Sequence, residues 1–577
     1  MIWYLENLQR SRSERETLES LASSVDWLTP IGWCIDKSLR LVWDADIATP
    51  IGMRSISLRY PNHFPHSPAV VLPRGDSERW SVHQYGPGGE LCLEYGPDNW
   101  HPEITGADMI SSVHRLLEGE RPTPDRVDAV ASRHKTTIGQ DLRNTFSRLL
   151  VTRNLAEAFS NIPEDIMLSV IAVGMYHGNS IIHAVSSILL PNGETWRECL
   201  PEAGKLGSEN TVALFRWPTG DPLPSIKSIS RLRVILAERN MVLPATIYAV
   251  ILWQTHIKFF YLNEGDDSVL ERSIIRPQQL GPRMDTDHSA LAGRKAALIG
   301  CGSLGSKMAV SLARAGVGGF LLVDDDILLP DNLVRNDLDW REVGTHKADG
   351  VATKIHLVNP NAKVSTRKHR LGGQEASGSI ETLIEGLGVC DLIIDATADP
   401  VVFNYLSAAV AISKKPLLWA EVFGGGFGGL LARHRPSVEP PPPTMRLAIE
   451  TWCVEHGLPI QRATENYGGG QSTPAIADDA DVAVIAAHAA RMAIDLMIPR
   501  DPSLFPFSVY LIGLGKGWIF EQPFETYPID IGKSIENPIE IIDRDVAAEE
   551  LARILGLFRE YKDAASSDSK GSETAPT

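Results

Sequence analysis

A chain of 577 residues is too long for one ordinary hydrophobic core, so several domains are expected. Its 43% hydrophobic and 22% charged residues read as globular protein, and a formal net charge of −17 excludes general attraction to nucleic acid or to an anionic membrane. A protein partner or a small ligand is the expectation that remains.

Residues 1–125 read as a small α+β unit. It has a polar opening helix, short strands in "LRLVWDAD" and "RSISLRY", a proline-rich turn "FPHSPAVVLP", a glycine-flanked segment around Cys92, and a helix "ADMISSVHRLLEG". Residues 126–285 hold strand-like runs, "IMLSVIAVG", "TVALFRW" and "ATIYAVILW", without a chemical motif, and read as a linker or docking domain. Residues 286–545 alternate strand and helix through "RKAALIG", "SKMAVSLARAG", "GGFLLVDDD", "CDLIIDATAD" and "YLSAAVAIS". That alternation predicts a mainly parallel, doubly wound sheet. "EPPPP" at 439–443 and "NYGGGQSTP" at 466–474 are expected to bound an extended excursion before a helix "VAVIAAHAARMAIDLM". Residues 546–577 read as a terminal helix and a disordered tail. The expected fold class is therefore multidomain, α/β and α+β.

The opening residues carry no apolar signal core, and the longest apolar stretch is broken by His177, Gly178, Asn179 and His183, so a cytoplasmic protein without a membrane span is expected. Six cysteines at wide spacings, with no C-x-x-C pair, fit a reducing compartment rather than a disulfide framework or a four-thiolate zinc site.

The chemistry is densest in "LIGCGSLGSKMAV", where Gly300, Gly302 and Gly305 follow an apolar strand and open a helix. Glycines at this spacing permit a tight turn and close approach of the main chain, and a helix N-terminus favours a phosphate. Asp324 ends the next strand and suits a ribose hydroxyl. The following segment, "LLVDDDILLPDNLVRND" and then "VGTHK", adds Asp326, Asn332, Arg335 and Lys347 near the place of a triphosphate. A dehydrogenase has no use for that arginine and lysine. An enzyme that makes an acyl adenylate does, because charge develops on the phosphates as a carboxylate attacks. Asp395 or Asp399 in "IIDATADP" would hold magnesium.

From "LIGCGSLG" through "DLIIDATAD" the chain resembles the adenylating family of ubiquitin-activating enzymes and their bacterial ThiF-like relatives. The resemblance implies a Rossmann-like domain using ATP and Mg2+. It places Gly300, Gly302 and Gly305 against the nucleotide, Asp324 on the ribose, and Asn332, Arg335 and Lys347 on the phosphates. The family's magnesium aspartate lies in D-x-T-D; "DATAD" has one extra residue, which leaves Asp395 and Asp399 as alternatives.

In the first domain, "FPHSPAVVLP", "GGELCLEY", Trp100, Pro102, Thr105 and the helix after them are similar in order and spacing to ubiquitin-conjugating enzymes. That resemblance gives Cys92 the role of thioester carrier rather than packed core thiol. The family's His-Pro-Asn is replaced by "SVHQYG", so Gln84 is the candidate oxyanion donor and His83 the candidate proton acceptor, the alternative for His83 being structural. Cys453 in "IETWCVEHGLP" is a candidate relay thiol, its pKa expected to be lowered by His456 one helical turn on; the alternative is a packed cysteine.

Together these halves resemble the fused conjugating and activating enzymes of bacterial CBASS anti-phage operons. The resemblance implies adenylation of a partner protein's C-terminus, a thioester on Cys92 and conjugation to a target amine. The partner would be the cyclic-oligonucleotide synthase, with the enzyme a homodimer. One alternative changes the partner to a bacterial ubiquitin-like protein. Another, of a different class, is a non-catalytic nucleotide-binding scaffold.

Overall fold

The computed structural model describes residues 2–570 except 51, 82, 121–129, 131–132, 135–138, 140–141, 201–206, 277–285, 374–376, 424, 458–476, 499 and 534–543. The expected boundary at 125, the one at 285 and the "NYGGGQSTP" stretch lie outside the described residues. Two compact units emerge, Met1–Thr145 and Phe146–Thr577.

The first unit is an antiparallel meander of β1 (Leu28–Ile35), β2 (Leu41–Thr49), β3 (Gly52–Arg59) and β4 (Val70–Pro73). Helices Leu8–Ser24 and Gly106–Gly119 pack on it, and Leu18, Trp43, Ile56, Leu58, Ile110 and Val113 share one core. Thr105 starts the second helix with a reciprocal capping box to Asp108. Glu14 of the first helix ties the unit together: its Oε2 accepts from the Tyr60 hydroxyl and from Gly106 N, both at 2.7 Å. Among the described residues of 74–105, which carry Cys92, there is no regular strand beyond one isolated bridge between Gln84 and Leu91.

In the second unit the middle region is a sheet in its own right. It contains β5 (Ser147–Leu150), β6 (Ile166–His177), β7 (Ser180–Leu189), β8 (Thr195–Arg197), β9 (Ser208–Trp217), β10 (Tyr248–Trp253), β11 (His256–Asn263) and β12 (Ser268–Ile275). The order is β5-β12-β11-β10-β9-β6-β7-β8, and β5 also pairs with β7, so the hydrogen-bonded sheet closes on itself. Leu155 and Phe159 of the helix Arg153–Ser160 join Val170, Val212, Val250 and Phe259 in one cluster, while the helix Ile229–Ala237 covers Phe215, Ile251 and Phe260 on the opposite face.

The C-terminal sheet runs β15 (Lys363–Arg367), β14 (Gly319–Val323), β13 (Lys295–Ile299), β16 (Leu392–Asp395), β17 (Leu417–Val422), β18 (Gly428–His434), β19 (Val509–Gly513) and β20 (Thr526–Ile529). The first five are parallel and the last three antiparallel. Chain order starts at β13, goes outward to β14 and β15, then returns to β16 on the other side, so a crevice opens at the C-terminal ends of β13 and β16. Both faces are covered, which is why β13 and β14 are nearly continuous apolar runs. Ala296, Leu298, Phe320 and Leu322 point to one core and Ala297, Ile299, Leu321 and Val323 to the other. The helix Ser303–Ala315 buries Leu304, Met308 and Leu312 at helical spacing and ends at Gly316, whose φ is +102°.

Two expectations are corrected here. "EPPPP" does not open an irregular excursion: a helix runs over Pro442–Glu455, because prolines in the first turn sacrifice N–H groups that have no intrahelical acceptor. The tail expected to be disordered from 563 is helical as far as Lys570: the last helix spans Arg544–Lys570, through a stretch rich in Ala and without Pro, and the rest of the tail lies outside the described residues. No helix among the described residues is long and apolar enough to cross a membrane.

Candidate active sites

The glycine turn leaves β13 at the crevice. Gly300 has φ +88°, and a Cβ there would lie 2.9 Å from Thr397 Cγ2. A Cβ on Gly305 would lie 1.9 Å from the Gly300 carbonyl oxygen, whereas one on Gly302 would meet nothing within 4 Å. Gly300 and Gly305 therefore let the turn, the helix and the loop after β16 close upon one another, and Gly302 leaves a bare stretch of main chain facing open space.

Asp324, at the end of β14, accepts from Cys301 N at 2.6 Å on one oxygen and from Asp326 N at 2.9 Å on the other. Burial holds its carboxyl above the usual range against those bonds. Lys347 Nζ is paired with Asp326 at 2.7 Å, and Lys347 N donates to the Asp326 carbonyl at 2.9 Å. Asn332 uses its side chain to accept from Leu329 N and its carbonyl to accept from Arg335 N. The half-buried Arg335 guanidinium has no acceptor among the described residues. Asp395 is 3% exposed; its Oδ1 accepts from Thr397 N at 3.0 Å and from the Thr397 hydroxyl at 2.6 Å. Burial first, then the nearby Asp399, raises its pKa. Asp399 caps the helix Pro400–Ser413 through Val401 N at 2.8 Å. The extra residue of "DATAD" is taken up by Ala398 in a left-handed turn, φ +55°.

Several residues here escaped the motif reading. Lys307, two positions after Gly305, donates to the Arg335 carbonyl at 2.9 Å and pairs with Asp479 at 2.7 Å, bracing the arginine loop. The buried Asn336 donates to the Cys301 carbonyl at 3.1 Å, tying that loop to the glycine turn. Their nearness to Gly305 and Arg335 was the available signal.

Cys92 is half-buried. Burial raises its thiol pKa, the Tyr85 hydroxyl lowers it and Asp98 raises it. His134 bridges the neighbourhood, Nε2 lying 2.6 Å from the Leu93 carbonyl and Nδ1 2.7 Å from Asp98. Gln84 is not a free amide donor as expected: its Oε1 accepts from Trp80 N at 2.8 Å and its Nε2 donates to the Gly89 carbonyl at 3.0 Å, in a residue 5% exposed. His83 Nε2 lies 2.5 Å from the Val130 carbonyl, which leaves Nδ1 as the ring's proton-accepting atom.

At Cys453 the expected lowering of the thiol pKa is not found, and the residue is packed, as in the alternative. It is buried in the helix Pro442–Glu455, and burial, with Glu421 and Glu450 nearby, pushes its thiol up to about 11. His456 does not oppose this. Its ring stacks on Trp452 at 3.8 Å and its Nδ1 lies 2.8 Å from the Trp452 carbonyl.

Compared with known proteins, residues 278–439 match the ThiF family. Protein y4qC of Sinorhizobium fredii is 29% identical over 442 residues, 68% of this chain and 72% of that one. The ATP-dependent ubiquitin transferase-like protein Cap2 of Pseudomonas aeruginosa is 28% identical over 144 residues, and the sulfur carrier protein ThiS adenylyltransferase of Escherichia coli 31% over 135. The match spans 24% of the former and 50% of the latter. Among solved structures, PaaA and E. coli MccB with ATP are each 17% identical with TM-scores of 0.34, covering 43% and 44% of this chain and 75% and 67% of theirs. Scores this low carry no argument.

Proposed function

From a ThiF-family domain at residues 278–439, we propose ATP-dependent activation of a partner protein's C-terminal carboxylate, followed by thioester formation on Cys92 and conjugation to an amine. The observation that carries this reading is the crevice between β13 and β16, where a glycine turn with open space at Gly302 is tied through Asn336 and Lys307 to the loop carrying Arg335, whose guanidinium has no acceptor among the described residues. A carboxylate oxygen attacks the α-phosphorus, the bond to the bridging oxygen breaks and pyrophosphate leaves with the electron pair. Arg335 offers its donors to the charge that builds on the phosphates, and Lys347 is shared between them and Asp326. Asp324 fits the ribose.

Asp395 suits a divalent cation: it is buried, with one oxygen held by Thr397 and its charge disfavoured by burial, a cost that a cation would offset. Asp399 is the helix cap. Bound Mg2+ would neutralise phosphate charge. The acyl group then passes to Cys92 directly; burial of Cys453 argues against a relay. Breaking the C–O bond of the adenylate releases AMP as the C–S bond forms.

The resemblance to CBASS enzymes supports a cyclic-oligonucleotide synthase as the activated partner and a role in anti-phage defence, and the match to the ubiquitin transferase-like protein Cap2 supports the ATP-dependent transfer chemistry. Pairing of two copies and a cytoplasmic location belong to the same reading. Exposed Leu329, Val334 and Trp340 on the arginine loop support pairing, which light scattering would test.

ATP–pyrophosphate exchange with the candidate partner tests the activation step. Arg335→Ala is expected to lower exchange by about a hundredfold or more, an oxyanion-type loss. No exchange in the wild type would favour a nucleotide-binding scaffold instead. A thiol-sensitive adduct present in the wild type, trapped as an ester by Cys92→Ser and absent in Cys92→Ala, would establish the carrier. Peptides from that adduct would tell the synthase from a ubiquitin-like protein.

A further inference from the structure

Backbone pairing beside Cys92 decides which side chains can reach its sulfur. Gln84 and Leu91 form an antiparallel bridge, Tyr85 N donates to the Glu90 carbonyl at 2.9 Å, and Cys92 N donates to the His83 carbonyl at 2.7 Å. Position 83 thus lies opposite 92, 84 opposite 91, and 85 opposite 90. Side chains alternate across paired strands, so Gln84 and Leu91 share one face, each 5% exposed, and His83, Tyr85, Glu90 and Cys92 share the other. Tyr85 stands diagonally from Cys92, within reach for an aromatic side chain, and is 68% exposed. Burial is the largest influence on the thiol and raises its pKa; the Tyr85 hydroxyl acts in the opposite direction. The other charged groups acting on this pair are Glu90, Asp98 and Arg143. Gln84 is held on the wrong face to act, and Tyr85 stands on the right one.

We propose that Tyr85 is a positioning residue of the thioester site, its O–H donating to the Cys92 sulfur and stabilising the thiolate. The inference rests on the thioester reading for its purpose, but the hydrogen bond is testable without it. When an amine attacks the thioester carbon, the C–S bond breaks and its electron pair goes to sulfur. The amine's surplus proton passes to water, and the thiolate later recovers one from water. Tyr85 keeps its proton throughout and offers a charge-assisted hydrogen bond to the leaving sulfur.

The test uses the full chain and iodoacetamide, following alkylation of Cys92 by peptide mass spectrometry to separate it from the exposed Cys34 and Cys199. Rates across the thiol titration are compared between wild type and Tyr85→Phe. The expected result is a Cys92 midpoint about one unit higher in Tyr85→Phe. At neutral pH the variant then has about tenfold less thiolate, partly offset by higher intrinsic nucleophilicity, for a net slowing of about threefold. An unchanged midpoint, or faster labelling because the ring merely shielded the sulfur, overturns the proposal. Amine-driven discharge of a preformed thioester is expected to slow in Tyr85→Phe as well. If the wild type never accepts an acyl group, the conjugation reading falls, and the alkylation midpoint still decides the role of Tyr85.

Discussion

At Gly305 in the glycine turn the main chain leaves no room for a side chain, a Cβ there falling 1.9 Å from a carbonyl oxygen. At Cys92 the chain is irregular and side chains hold it. Asp76 accepts from Glu78 N and Trp80 Nε1, Gln84 braces Trp80 and Gly89, and Asn99 braces Glu94 and Gly96. The first site is shaped by exclusion and sits on buried parallel strands. The second is shaped by polar contacts on a half-exposed loop. A steric requirement admits one residue type, so it is written as a motif; a bracing contact can be met in several ways, so it is not.

Substitutions can break this contrast. Gly305→Ala should have the largest effect, destabilising the second unit by about 3 kcal/mol through overpacking and abolishing ATP binding, as read by thermal melts and calorimetry. Near-normal ATP binding would show that the turn relaxes easily. Gln84→Ala should cost about 2 kcal/mol, because Trp80 N–H and the Gly89 carbonyl lose their partners. If stability held while thioester discharge fell, Gln84 would be acting on the reaction instead. Cys453→Ala should cost about 1 kcal/mol and leave the Cys92 adduct intact; loss of the adduct would restore the relay.

The contrast between the thiols has a pH signature. Burial raises Cys453 from 9.0 to about 11, so the folded chain keeps that proton where the unfolded chain releases it, and stability falls as pH rises between those values. Alkylation of Cys453 should climb steeply only as pH nears about 11, long after Cys92 is labelled. The smallest effect is expected for Ala398→Gly. It relieves a left-handed alanine at the cost of unfolded-chain entropy, for a net gain of about 0.5 kcal/mol.

The same contrast explains what was legible in the sequence. The turn, Asp324 and the arginine loop follow from spacing after an apolar strand, and the doubly wound sheet from alternation of strand and helix. β1 was not seen, because Pro30 and Gly32 interrupt it at a register shift. Tyr85 was invisible because its position depends on which face of a short bridge each residue takes, and Gln84 was chosen by nearness in sequence rather than by face. Asn336 and Lys307 act through the chain's long-range closure, which no local pattern records. The middle strands were seen singly, but their closure was not.

That closure has a consequence for how the protein is made. β5 lies between β7 and β12, with Arg148 paired to both Ile182 and Ser273. A ribosome must therefore synthesise the chain beyond Ile275 before β5 has both of its neighbours. Until then the middle region carries open strand edges able to pair with another nascent chain. Truncations ending between β11 and β12 should be recovered in aggregates, while those ending beyond β12 can close their own sheet.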